Sequence, residues 1–199
     1  MSVPGTELHA VVLAAGASRR FGAIKQLARI GHEPMLLHAV RCAAGAADRT
    51  WVILGAHADK LAALLEGAPV TVCVNTNWPE GLSSSIRTGI ERLPDSCDGA
   101  LLALADQALV TAEEYARLAH VWRGAPQSIA AACYGARPGA PAIFPRRLFG
   151  DLLRLAGDAG ARALLRDHAD EVLEVPMPSA GVDIDTPADL IALGKSTPS

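Results

Sequence analysis

The sequence predicts a three-layer α/β/α architecture around a mostly parallel, Rossmann-like sheet. Two observations carry that expectation. Short, almost wholly apolar runs alternate along the chain with longer segments of helical character. A strand buried on both faces reads as a continuous apolar run, and strand–helix alternation marks a parallel sheet covered on both sides. The first apolar run, moreover, opens directly into a glycine-containing basic loop, LAAGASRRFGAIKQL (residues 13–27), as the first strand of such a fold does at its ligand-binding edge.

Each element has its own grounds. Residues 8–14, LHAVVLA, are a short apolar strand ending at a glycine loop. From Pro34, PMLLHAVRCAAGAA reads as a helix with proline at its start and Gly45 near its end. RTWVILG (49–55) is a second strand, HADKLAALLEG (57–67) a helix stopped by Gly67, and VTVCVN (70–75) a third strand. SSSIRTGIERL (83–93) offers a serine cap and then a helix. GALLALAD (99–106) is a fourth, very apolar strand. Thr111 and Glu114 form a capping box for the helix TAEEYARLAHVWR. SIAAACYG (128–135) is a fifth strand, and a Gly/Pro-rich link over 135–141 leads into a short strand at AIF. Residues 145–155 and 159–168 read as short helices, EVLEVPM (171–177) as a last strand and TPADLIALG as a last helix. The 199 residues suffice for one domain, 1–194, with 195–199 a disordered tail.

Composition narrows the function. A net charge of −3 argues against a nucleic-acid surface built on bulk attraction, but not against a small anion pocket. No apolar stretch is long enough to span a membrane, and no secretory leader is legible, so a soluble, cytoplasmic protein is expected. Cys42, Cys73, Cys97 and Cys133 are scattered, as core thiols rather than a disulfide framework. The six histidines show no metal-ligand spacing and read as surface or helix residues.

The chemistry gathers at three places. In the first loop, Gly16 and Gly22 flank ASRRF, which matches neither the dinucleotide fingerprint nor the P-loop. Backbone N–H groups in such a loop can still cradle phosphate, and Arg19, Arg20 and Lys25 add charge; the plainer alternative is a solvated basic turn. Asp106 follows directly on an apolar strand, where it suits either a divalent cation or a helix cap. In GVDIDTPADL (181–190), Asp183 and Asp185 lie two apart, on the same side of an extended segment.

These residues resemble the small nucleotidyltransferases that act on molybdenum cofactor. The likeness runs through NTNWPEGLSSSIRTGI (75–90), LADQALVT (104–111), GAPAIFP (139–145), GDAGARALL (157–165) and VDIDTPADL (182–190). It is greatest for the molybdenum cofactor cytidylyltransferase branch and less for the guanylyltransferase branch. The resemblance implies a nucleotidyltransferase fold and transfer of CMP from CTP to a molybdopterin-type cofactor, with pyrophosphate released. It places Leu13, Ala14, Ala15 and Gly16 at the base and ribose, and Arg19, Arg20 and Lys25 at the triphosphate. Ser83 and Ser84 fall in the segment enclosing the base, and Asp106 and Asp185 hold Mg²⁺. Lys25, Arg20 and Asp106 are the catalytic candidates. The acceptor falls between Gly139 and Arg162. GTP in place of CTP, another phosphorylated acceptor, or a non-catalytic nucleotide or cofactor binder serving a molybdoenzyme are the alternatives. A molybdoenzyme apoprotein or its chaperone is then a partner; nucleic acid and membrane are not. Two departures stand out: Ala108 replaces a proline frequent in the family, and Ala140 stands where relatives commonly carry a histidine or other polar residue.

Overall fold

The computed structural model describes residues 6–135, 137–158, 160–184 and 186–196, with the side chains of 192–196 excluded. In chain order the elements are β1 (Leu8–Ala14), β2 (Arg29–Ile30), β3 (Glu33–Pro34), α1 (Met35–Ala44), β4 (Arg49–Leu54) and α2 (Ala58–Leu64). There follow β5 (Thr71–Val74), α3 (Leu82–Glu91), β6 (Gly99–Leu104), α4 (Ala112–Gly124), β7 (Ile129–Tyr134) and β8 (Arg137–Pro145). The last are α5 (Phe149–Leu153), α6 (Arg162–Asp167), β9 (Val172–Pro176) and α7 (Pro187–Ser196).

Seven strands form one sheet in the order β5-β4-β1-β6-β8-β7-β9. Its pairs are parallel except those of β8, which runs antiparallel to both β6 and β7. The apolar runs have the expected cause: β1 is buried on both faces. Leu8, Ala10 and Val12 pack into one core with Leu36, Leu54 and Trp122. Val11 and Leu13 pack into a second core with Ile53, Ile86 and Phe144 on the other face. A third, smaller cluster of Met35, Ala108 and Ile184 lies against Phe21 and Leu190, so the first loop is anchored by apolar contacts of its own. Ala108 fills that cluster where the family often has proline.

Most elements fall where the pattern put them, and α4 carries the full Thr111–Glu114 capping box. Four differences have physical causes. The helix at 83–93 begins one residue earlier, after Gly81, with no side-chain cap; its serines are turned inward instead. Much of the Gly/Pro-rich link is strand: β8 begins at Arg137, and its reversed direction comes from pairing that no local pattern encodes. The two-residue strands β2 and β3 are too short to leave a periodic signal. His9 is not a surface residue. It is fully buried in β1, its Nε2 2.7 Å from Glu7 Oε1 while its Nδ1 receives the Trp51 indole N–H at 3.1 Å. The four cysteines are free thiols. Among the described residues no helix is long and apolar enough to cross a membrane.

The sheet order positions the site. The chain leaves β1 for β4 on one side, whereas β6 lies on the other side and continues to β7. The strand order therefore reverses between β1 and β6, and the loops leaving their carboxyl ends part to open a crevice.

Candidate active site

A cavity of about 570 Å³ occupies that crevice. Leu13, Ala14, Ala15, Gly16, Arg19, Arg20 and Lys25 line it from the loop after β1. Asp106 lines it from the loop after β6, Trp78 and Gly81 from the segment between β5 and α3, and Ser85 from the first turn of α3. Residues from three separate stretches of sequence thus converge, and the basic ones face an acid across the opening.

The first loop keeps its shape through a residue that the sequence did not single out. Gln26 is buried, and its side-chain amide donates to the carbonyls of Ala14 at 3.2 Å and Gly16 at 3.0 Å, while its oxygen accepts from Ser18 Oγ at 3.1 Å. One side chain therefore ties both limbs of the loop together. Gly22 has φ +72°, a left-handed conformation in which a Cβ is strained. Gly16 serves differently: a Cβ there would meet nothing within 4 Å, so the backbone is left open on that side. Gln26→Leu should remove the amide donor from the buried Ala14 carbonyl and the part-buried Gly16 carbonyl and cost about 1–3 kcal/mol of stability. Urea denaturation would show it as a lowered midpoint. Calorimetry should show weaker nucleotide binding in the same variant, because the loop walls are no longer held.

Lys25 Nζ lies 2.9 Å from Asp106 Oδ2, with 11% and 31% of the two side chains exposed. The pair lies on the wall of the cavity, where a partly buried cation and anion are screened less than on an open surface. Asp106 is fixed at the backbone by Ile184, whose N–H donates to the Asp106 carbonyl at 3.3 Å. That bond brings the closing acidic segment beside Asp106, with Asp183 exposed next to it. Asp185, expected as the second metal ligand, lies outside the described residues. Gln107 holds the other side: its amide donates to the Ala140 carbonyl at 2.8 Å and the Ala180 carbonyl at 2.7 Å. Asp106 is thus framed by a main-chain bond from Ile184 and, through the side chain of its neighbour Gln107, by the Ala140 and Ala180 segments.

Ser83 and Ser84 do not line the cavity. Both are buried, with Ser84 Oγ donating to the Gly81 carbonyl and accepting from Asn75. The Ser83 N–H is spent on the Gly157 carbonyl at 3.1 Å. The serine that reaches the cavity is Ser85, and it too accepts from Asn75, at 3.1 Å. Gly55 explains how Trp78 comes so near the loop: a Cβ on Gly55 would stand 2.6 Å from Trp78 Cβ and 2.8 Å from the Ala15 carbonyl oxygen. Asp158 was not singled out in the sequence. It sits over Gly81 and borders this cavity and a second one of about 370 Å³ between α3, α6, β6 and β8.

The residues present suit a divalent cation that the substrate helps to hold. Mg²⁺ takes hard oxygen ligands, often one or two carboxylates completed by substrate phosphates. Asp106 supplies such an oxygen at the cavity wall. Among the described residues no group of three or more His, Cys, Asp or Glu side chains forms a self-sufficient metal site.

Comparison with known proteins fits this geometry. Residues 10–172 match the model of the MobA-like NTP transferase domain. Nicotine blue oxidoreductase of Paenarthrobacter nicotinovorans is 29% identical over 195 residues, covering 88% of this chain and 91% of that protein. The crystal structure of Rv0371c from Mycobacterium tuberculosis H37Rv superposes with a TM-score of 0.81 at 31% identity, over 96% of this chain and 100% of that one. A second structure of Rv0371c, in complex with manganese, gives a TM-score of 0.80 at 28% identity, again over 96% and 100%.

Proposed function

The chain belongs to the MobA-like NTP transferase family, and we propose that it transfers CMP from CTP to a phosphorylated acceptor with release of pyrophosphate. The observation that carries this reading is the Lys25–Asp106 pair, which joins the basic loop after β1 to the end of β6 on the wall of the crevice. It supplies what a triphosphate needs: a cation for phosphate oxygens and a carboxylate for the metal that accompanies them.

The mechanism follows from the electrostatics. In the ligand-free chain, Lys25 and Asp106 neutralise each other. With a metal–nucleotide complex bound, Lys25 would pair with phosphate oxygens and Asp106 would hold the cation. Arg20, Arg19 and the loop backbone of residues 15–18 line the same cavity. An oxygen of the acceptor phosphate attacks the α-phosphorus in line, the bond from that phosphorus to the bridging oxygen breaks, and pyrophosphate leaves. A phosphate dianion needs no base, so positioning and charge stabilisation are the protein's work. A divalent cation on Asp106, Mg²⁺ or Mn²⁺, would draw electron density from the transferring phosphoryl group. The manganese complex of a relative supports a divalent cation of this kind.

CTP is preferred over GTP on the strength of the sequence resemblance to the cytidylyl branch. The base would lie between the backbone of Leu13–Gly16 and the segment of Trp78 and Ser85. A pocket sized for a pyrimidine excludes a purine, and unpaired polar groups add to the penalty. The test is kcat/KM for CTP and GTP with one acceptor and excess Mg²⁺. CTP is expected to lead by about tenfold or more; equal or higher values for GTP would overturn the cytidylyl assignment while leaving nucleotidyl transfer in place.

A molybdopterin-type cofactor is the acceptor implied by the resemblance, with a molybdoenzyme or its chaperone as recipient. A second reading, an acceptor with an apolar body, is favoured by the lining of the smaller cavity.

A further inference from the structure

The smaller cavity adjoins the nucleotide cavity, for Leu13, Leu82, Leu104 and Asp158 border both. Its chemistry is different. The walls toward the sheet and α3 are apolar, with Ile86, Leu102, Phe144 and Leu165 among them. The polar edge of its mouth is already occupied, since the Ala140 carbonyl accepts from Gln107. Position 140 itself supplies only a methyl group. The charged side chains on the lining are Asp158, on the border with the nucleotide, and Arg162 and Arg166, one turn apart on α6.

Arg162 also marks the reacting end. Burial pushes the Tyr134 phenol up, with Arg162 and Gln107 opposing that shift and Asp183 adding to it. Arg162 therefore lies with Tyr134 near Gln107 and the closing acidic segment, the same framework that holds Asp106. A ligand anion on Arg162 would stand toward the nucleotide, and the rest of the ligand would fill the apolar part.

We propose that this cavity is built for a phosphomonoester of an apolar body, with its phosphate held by Arg162 and Arg166. The proposal rests on the nucleotidyl-transfer reading and narrows its acceptor. A guanidinium matches phosphate oxygens in a forked geometry, and two of them on one helix face hold a dianion. Leu, Ile and Phe walls reward an apolar surface and leave the donors and acceptors of a polar heterocycle unpaired. The volume, about 370 Å³, is within the range of small-molecule sites. The phosphate so held is the nucleophile: one of its oxygens bonds to the α-phosphorus of CTP as the α–β bridge breaks, and pyrophosphate carries away the electron pair.

The test is calorimetry of the full chain with three probes: 1-naphthyl phosphate, inorganic phosphate and 6-hydroxymethylpterin phosphate. The first should bind roughly tenfold or more tightly than either of the others. Arg162→Gln should weaken it by roughly tenfold. Ala142→Leu, which fills the cavity from β8 without touching a charge, should weaken it too, and thermal melting checks that the variant is folded. A saturating Mg²⁺ complex of α,β-methylene-CTP, whose α–β bridge cannot break, should leave the probe bound. Equal affinity for the pterin phosphate would overturn the apolar assignment and return the acceptor to the molybdopterin type. Displacement by that analogue, or unchanged affinity in both variants, would overturn the cavity assignment. The two readings fail separately. Probe binding of the expected pattern in a chain that binds no CTP removes the function and keeps the cavity; CTP binding without the pattern does the reverse.

Discussion

Asp106→Ala should abolish pyrophosphate release from CTP while leaving the fold intact. The side chain stands at the rim of a strand whose stability comes from buried neighbours, Leu101 and Leu102 among them, and it is 31% exposed. Its backbone bond from Ile184 survives the change. On the proposed reading, what is lost is the carboxylate offered to the cation, and with it the alignment of the α-phosphate. Asp106→Asn sharpens the test, because it keeps the size and an oxygen for Lys25 but removes the charge. Both variants should melt near the wild-type temperature and show no metal-assisted gain in CTP affinity by calorimetry. Near-normal turnover in either would remove the metal role from Asp106.

Lys25→Ala should lower kcat more than it raises KM for CTP. A single well-placed donor to developing charge is worth about 3 kcal/mol, roughly a hundredfold in rate. The lysine is 11% exposed, so its charge acts where water screens little. Arg20→Ala should cost less than Lys25→Ala, and Arg19→Ala less again, since both arginines are exposed on the loop. Steady-state constants of Lys25→Ala equal to wild type would reduce the lysine to a resting partner of Asp106.

The sequence is informative wherever the physics is local. LHAVVLA and GALLALA are legible as buried strands because both faces of each are covered, and the loops at their ends fall at one edge of the sheet once the strands are parallel. The Lys25–Asp106 pair follows from that placement even though the two residues are 81 apart in the chain. What stayed hidden depends on distant contacts. Gln26 looks like an ordinary surface residue until the loop closes around it. Ser83 and Ser84 look like caps or ligands, but Asn75 and Gly157 draw them inward and leave Ser85 on the cavity. Asp158 belongs to a loop of alanines and glycines whose position over Gly81 nothing nearby encodes. The second cavity draws on β1, α3, β6, β8 and α6, so no single motif describes it.

The central claim, that the crevice between β1 and β6 binds a metal–nucleoside triphosphate for transfer, is tested most directly by following label from α-³²P-CTP. The full chain is incubated with Mg²⁺ and a phosphorylated acceptor, and the products are separated. The account predicts that label moves from CTP to the acceptor in step with pyrophosphate release, that chelating the metal stops both, and that Asp106→Ala shows neither. Label remaining in CTP with every phosphorylated acceptor, in a chain that binds NADH in the same crevice, would contradict it.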